Sequence, residues 1–409
     1  MLYDGTDSPT ISVAFDTGKQ GIFTLGVSSL GGSDVLGSFA TTWTTIPATT
    51  VRAISIRRGR TREDQAVQSG TMTLTLDNRS GNYDPDNPAS PYMWSGYSIL
   101  TKGLGVQLQA TYSGTSYTIF RGYLEQLSAD QSLDPVATIT FTDALSQLSQ
   151  QSLTAISAAY SGETTATRVG RILDAIGWPA SLRSLTGSRT MQPTTFGDTA
   201  LTLSEQASTC EFGRLFADRS GSIVLMPYES TFYTQQRLDF SDTRAAGTIE
   251  YSGIKTDPGA KYLYNTITLT QTTGSVVTYT NTASVGRYGS YPKAITAPLL
   301  NSSDASTLAQ IIGDRFALPT TRVEQIEFDA YGIGTEWPDL LQTELGDRAT
   351  VTRNTVDGRL RKFNALIESI NHDLTPNSWH VSMDLSPGIK GSFFILGSSL
   401  LGGTDVLFY

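Results

Sequence analysis

Two histidines, one cysteine and a short acidic run are the residues of this 409-residue chain whose types could carry catalysis or hold a metal. His372 and His380 stand on what read as neighbouring strands or the loop between them. Their spacing fits no metal-binding pattern, and neither HExxH nor CxxC occurs. The lone Cys210 excludes an internal disulfide and any multi-cysteine metal site. There is no GxSxG elbow, and Ser28 and Ser29 sit in a glycine-rich motif with no histidine placed to activate them. Leu30-Gly31-Gly32-Ser33 lacks the Lys-Ser/Thr pair that a phosphate-cradling loop needs. The run from Asp77 to Pro88 gathers oxygen ligands as a calcium loop would, but Arg79 falls on a ligand position and Gly81 comes one place early. A turn-rich loop closing a strand is the simpler account of it. No catalytic, cofactor-binding or metal-ligating residue is expected, and the chain does not read as an enzyme.

Arg52, Arg57, Arg58, Arg60 and Arg62 form the one basic cluster. Glu63 and Asp64 follow at once, and no aromatic is interleaved for base stacking. The pattern predicts ion pairs between subunits through Arg57, Arg58, Arg60 and Arg62, with a solvated face as the other reading. Across the chain, 38 acidic residues against 29 basic ones give a formal charge of -9, which argues against tight nucleic-acid binding. Such a balance suits a weakly repulsive wall along which DNA slides without specific binding. The amino-terminal residues lack a basic stretch followed by an apolar one, and no run of about 18 apolar residues occurs, so neither membrane insertion nor standard export is expected.

The elements that must position these residues are mostly strands. Only 16% of residues are charged and 39% are hydrophobic, with abundant Thr, Ser and Gly, a mixture that favours sheets joined by tight turns. Thr71–Leu76 alternates cleanly, and Val106–Tyr112 with Tyr117–Tyr123 reads as a hairpin about Ser113-Gly114-Thr115-Ser116. This first part predicts a barrel or a sandwich. The period then changes: Val169, Ile172, Leu173 and Ile176 fall on one helix face that Gly177 and Pro179 end. A second helix is predicted from an N-cap at Asp198 to Gly213, followed by a hairpin about Asp218-Arg219-Ser220-Gly221. Strands return at Tyr264–Thr270, Val276–Thr280, Glu324–Phe328, Ala349–Arg353 and Trp379–Leu385, with a type I′ turn at Asp357-Gly358 and one helix capped by Asp304 that shows Leu308, Ile311, Ile312 and Phe316 on one face. The order is β, then a small α+β insert, then β.

The ends of the chain carry a near-duplicate. FTLGVSSLGGSDVL at Phe23–Leu36 and FILGSSLLGGTDVL at Phe394–Leu407 agree at 10 of 14 positions. Each copy is too short and glycine-rich to bury a core of its own. Phe23, Leu25, Leu30, Asp34 and Leu36, with Phe394, Leu396, Leu401, Asp405 and Leu407, are expected to dock as extended arms on neighbouring subunits, or to pair with each other inside one domain. Trp94, Tyr97 and Trp337 are candidate stacking platforms for a sugar, or simply core and interface residues.

Several stretches resemble tail-tip proteins of long-tailed phages, in particular minor tail proteins of phages of actinobacteria. They are Arg57-Arg58-Gly59-Arg60 with Gly70–Arg79 and Tyr83-Asp84-Pro85, then Phe120–Glu125, Arg171–Pro179, Gly213–Gly221, and the two terminal motifs. The resemblance implies a baseplate hub: a mainly β chain in which two tube-like β-barrel domains are separated by a small α+β domain and flanked by extended terminal arms. On that reading 1–45 is the first arm, 46–150 the first barrel, 151–250 the α+β domain, 251–388 the second barrel and 389–409 the second arm. It implies a homotrimer at the distal tip of the virion tail, closing the tube and forming part of the DNA-ejection conduit. Its partners would be the distal tail protein ring, the tape-measure protein and other minor tail proteins, with no cofactor. The alternatives are a hexameric distal tail protein and a receptor or carbohydrate-binding tip protein.

Overall fold

The computed structural model describes residues 8–18, 41–94, 96–130, 132–153, 162–194, 197–330, 332–355 and 358–388. The duplicated terminal motifs, and with them Phe23, Leu25, Leu30, Asp34, Leu36, Phe394, Leu396, Leu401, Asp405 and Leu407, lie outside the described residues, as does Asp357 of the predicted turn.

Alternating apolar and hydroxyl-bearing residues build the first strands. β1 (Thr10–Asp16), β2 (Trp43–Thr45), β3 (Val51–Gly59) and β4 (Gln68–Asp77) come first, and β4 buries Met72, Leu74 and Leu76 while its threonines face outward. A loop holding the short β5 (Met93–Trp94) and β6 (Tyr97–Ser98) leads to the predicted hairpin, β7 (Gly105–Tyr112) and β8 (Thr115–Ala129). Its turn is tighter than expected, two residues with positive φ at Ser113 (48°) and Gly114 (80°), which matches the twist of the flanking strands. β9 (Val136–Thr142) follows, and Asp143 then caps α1 (Ala144–Gln150) by accepting the Leu145 N–H.

The central part is built of β10 (Glu163–Thr164), α2 (Thr165–Ala175), β11 (Arg183–Leu185), β12 (Thr190–Met191), α3 (Ala200–Cys210), β13 (Arg214–Ala217) and β14 (Ile223–Met226). α2 ends where Gly177 takes a φ of 70°. α3 is capped by Thr199, whose hydroxyl accepts the Thr202 N–H, and not by Asp198, whose carboxylate is turned to the Thr199 N–H at 2.7 Å.

The chain continues through β15 (Gln236–Ser241), β16 (Ile249–Glu250) and β17 (Gly253–Asp257). Next come β18 (Thr266–Gln271), β19 (Val276–Thr280), α4 (Thr282–Tyr288), β20 (Pro292–Ala297) and α5 (Ser302–Phe316). Asp304 lies in the first turn of α5, whose N-cap is Asn301. The predicted strands at 264–280 do form, yet β18, β19 and β20 make a separate three-stranded sheet with α5 packed on it. β21 (Arg322–Asp329), α6 (Trp337–Gln342), β22 (Arg348–Asn354), β23 (Leu360–Ile367), β24 (Ser369–Thr375) and β25 (Ser378–Pro387) complete the described elements.

Strands make up 44% of the described residues and helices 22%. Fifteen strands join in one sheet, ordered β16-β15-β22-β23-β25-β24-β3-β4-β9-β8-β7-β1-β2, with β21 paired to β25 and β17 to β21. Against the expectation of two barrels, this sheet is open: β16 and β2 end it, and nothing among the described residues pairs its edges to each other. Within it one five-strand arrangement occurs twice. In the first unit β3 pairs β4, β4 pairs β9, β9 pairs β8 and β8 pairs β7, all antiparallel. In the second, β17 pairs β21, β21 pairs β25, β25 pairs both β24 and β23, and β23 pairs β22, again all antiparallel. β23 and β24, parted only by Glu368, together take the place of the long β8. Even a bulge recurs: the ladder slips between Arg57 and Gly59 against β4, and between Lys255 and Thr256 against β21. The short link between β3 and β4 is replaced in the second unit by the insertion that carries β18 to α5. Both units share one apolar core, into which Phe216 and Val224 of the central part reach, while the rest of the central part and the insertion share another.

Candidate functional site

Among the described residues the sheets of the two units join at a single place, where β24 adds to β3. Ser369 to Leu374 run antiparallel to Gly59 to Ile54, with His372 opposite Ile56. The approach is close at one end: a Cβ on Gly59 would stand 2.2 Å from the Glu368 carbonyl oxygen, and its φ of 108° is one that side chains rarely adopt. The Arg60 N–H donates to that same carbonyl at 2.9 Å.

Charge is concentrated around this glycine. Arg60 Nε reaches the Glu368 carboxylate at 2.7 Å, Arg214 of β13 pairs with the same group, and the Ser386 hydroxyl donates to it at 2.6 Å. Burial alone would raise the Glu368 carboxyl, but the guanidiniums of Arg214 and Arg60 outweigh it and hold it at about 2. Arg58 contacts Glu344 at 2.5 Å and the Ala217 carbonyl at 3.1 Å. Glu63 receives Arg315 of α5 at 2.7 Å and Arg322 of β21 at 3.1 Å, and Asp64 receives Lys293 of β20 at 2.8 Å. The segment from Arg58 to Asp64 thus ties the first unit to the central part, the insertion and the second unit at once. With partners removed, such buried charges would be costly, so the network fixes the angles among these bodies more than it adds net stability.

Two further polar groups sit inside. His372 accepts the Trp379 indole N–H at Nδ1, 3.2 Å away, and burial pulls its pKa down to about 3. The Asp143 carboxylate, which also accepts the Ser69 hydroxyl at 2.7 Å and the Gly70 N–H at 2.6 Å, is pushed up to about 6 by burial.

Of the arginines expected to pair between subunits, all four find a carboxylate within the chain: Arg57 takes Asp373 at 2.9 Å, Arg58 takes Glu344, Arg60 takes Glu368 and Arg62 takes Asp64 at 3.0 Å. Arg58 and Arg60 are buried, which leaves Arg57 as the member of the set with half its side chain in water. The partners of Arg57, Arg58 and Arg60 were missed because they lie far along the sequence, whereas that of Arg62 stands two residues on. A local signal existed, since Glu368 between Ile367 and Ile370, and Arg214 before Leu215-Phe216-Ala217, are charges set in apolar strand segments. The run from Asp77 spends its oxygens within the chain, with Asn78 accepting the Tyr83 N–H and Asp77 accepting the Arg79 N–H and pairing with Arg52 at 3.1 Å. Trp94 and Tyr97 are exposed, whereas Trp337 is fully buried against Trp379 and is no part of a surface platform. Cys210 is buried, and burial pushes its thiol up to about 12.

No protein-family model and no curated protein matches the chain. Among solved structures it is similar to a tail protein from Neisseria meningitidis MC58, with a TM-score of 0.59 at 9% identity, covering 92% of this chain and 96% of that one. It is also similar to the 43 kDa tail protein of prophage MuSo2 from Shewanella oneidensis, with a TM-score of 0.55 at 13% identity, covering 92% of this chain and 97% of that one. At these identities the likeness establishes a shared fold over nearly the whole chain.

Proposed function

We propose that the chain is a structural subunit of a phage tail tip, a hub of which three copies close the distal end of the tail tube and form part of the path taken by DNA. One observation carries this reading: the same five-strand unit occurs twice in one polypeptide, and its two copies are already joined edge to edge through β24 and β3. Three such chains present six units, so a three-fold assembly can sit on a six-fold ring. The sheet that stays open in one chain would then close between chains. The two solved proteins sharing the fold, both described as tail proteins, support the same class. The distal tail ring, the tape-measure protein and other minor tail proteins are the proposed neighbours, reached in part by the terminal arms, and genome DNA passes without specific contact. The role is mechanical, not enzymatic. Copy number in purified tails tests it: three chains per particle are expected, while six, or none, would overturn it in favour of a distal ring or of a protein outside the tail.

A further inference from the structure

We propose that the unpaired end of β8 in one chain pairs with the free edge of β17 in the next, repeating between copies of this chain the joint that β24 and β3 make within each. This rests on the hub reading and names the surface that reading would use. The template is internal. The β23–β24 stretch, interrupted only at Glu368, shows one edge to β25 and the other first to β22, then to β3. β8 shows one edge to β9 and the other to β7, a ladder that Leu124 ends by donating its N–H to Leu104 and accepting the Gly103 N–H, each at 2.8 Å. Past Leu124, no described strand covers that side of Gln126–Ala129, the stretch that corresponds to the β24 segment on β3. β17, the counterpart of β3, pairs with β21 alone among the described residues. Each chain therefore holds one completed joint and both halves of a second.

The ladders fix the register. His372 faces Val381, which faces Phe328; Leu127 faces Ile139, which faces Leu74. Leu127 is thus the counterpart of His372. By the same route Ile254, opposite Ile326, is the counterpart of Ile56, opposite Met72. Since His372 lies opposite Ile56, Leu127 of one chain meets Ile254 of the next, with Gln126 opposite Lys255 and Ser128 opposite Gly253. Burial agrees: His372 and Ile56 are buried, whereas Leu127 and Ile254 are half-buried apolar residues at the rim of the shared core. A β8-to-β17 contact joins two different surfaces, so it adds copies head to tail, and every such edge is filled once the copies close into a ring.

The test uses the full chain with Gln126→Cys or Lys255→Cys, both at exposed positions that directly opposed strands bring within disulfide reach. Mixed and oxidised, the two single variants are expected to lose their one-chain band into a reducible dimer that neither forms alone, and the double variant to give a reducible trimer. Cross-linking of either single variant with itself would show like-with-like pairing and overturn the proposal. A native mass of three chains with no cross-link in the mixture overturns the β8–β17 edge and leaves the hub intact. A wild-type mass of one chain at every concentration, and single copies in tails, overturns both. As a second arm, Leu127→Lys is expected to run as a single chain while still unfolding cooperatively with a wild-type far-UV spectrum; a trimer retained in that variant would also refute the edge.

Discussion

The two five-strand units follow one strand order, yet their fourth strands end in opposite conditions. In the second unit the strand past Glu368 is covered by β3 and locked by Arg60 and Arg214, side chains that are nearly or fully withdrawn from water. In the first, no described strand covers the corresponding end of β8, where neutral Gln126 and Ser128 are exposed. A joint made inside one chain desolvates its charges once, as the chain folds, and finds their partners in the same event. A surface that waits in water for another copy gains nothing from charges that would have to be stripped of solvent later, and half-buried apolar side chains such as Leu127 serve it better.

The sharpest way to break that contrast is to remove Glu368. Glu368→Ala leaves Arg60 and Arg214 buried without their shared carboxylate, and is expected to cost about 3–5 kcal/mol in urea or thermal unfolding. Gln126→Ala, at the uncovered end of β8, should stay within about 0.5 kcal/mol of wild type in the same assay. Equal costs at the two places would mean that the ion pairs at the covered joint are no lock at all.

Acid titration separates the two units more finely, because His372 in the second and Asp143 in the first are buried groups shifted in opposite directions. His372, held down at about 3, contributes stability that is present above its unfolded value of 6.5 and lost as pH falls through the window to 3. Asp143, held up at about 6, contributes stability that is present below its unfolded value of 3.8 and lost as pH rises through 6. Between about pH 6 and 4 the two slopes oppose each other at about 1.4 kcal/mol per pH unit apiece, so unfolding free energy should change little there. Below that window Glu368, at about 2 against 4.5 unfolded, adds to the loss from His372. Asp143→Asn should expose a decline in stability beginning already near pH 6, and His372→Gln a rise; a variant whose pH profile overlays wild type would show that its group does not titrate as described.

Much of the layout was legible along the chain, because it depends on short-range periodicity. β4, the β7–β8 hairpin, α2 and the β13–β14 hairpin fall where alternation, a helical face or a turn pair placed them. What stayed hidden depends on pairing at a distance. Nothing local told that Ile267 and Leu269 of β18 would pack with Ile312 and Phe316 in a core apart from that of the flanking strands, since a half-buried strand looks the same in either sheet. The repeat of the five-strand unit was hidden for a similar reason: β8 is continuous where β23 and β24 are broken at Glu368, and an insertion parts β17 from β21. The basic cluster was seen, but its acids, Glu344, Glu368 and Asp373, lie about 300 residues on and become neighbours only through the fold.

The smallest effect belongs to the rim of the covered joint, where Arg57 and Asp373 sit 2.9 Å apart with side chains 51% and 43% exposed. Water screens such a pair, and holding two side chains in one geometry costs rotamer freedom. A double-mutant cycle of Arg57→Ala and Asp373→Ala should therefore give a coupling of about 0.2–1 kcal/mol that shrinks as salt is added. The value matters because the places matching Asp373 and Arg57 hold Ser128 and Lys255, which form no ion pair with each other. If the coupling is small, the two rims are energetically alike, and what separates the covered joint from the open one is the buried carboxylate at Glu368. A coupling above about 2 kcal/mol, insensitive to salt, would move the lock outward to Arg57, and a neutral edge at β8 would then lack the very interaction that holds β24 on β3.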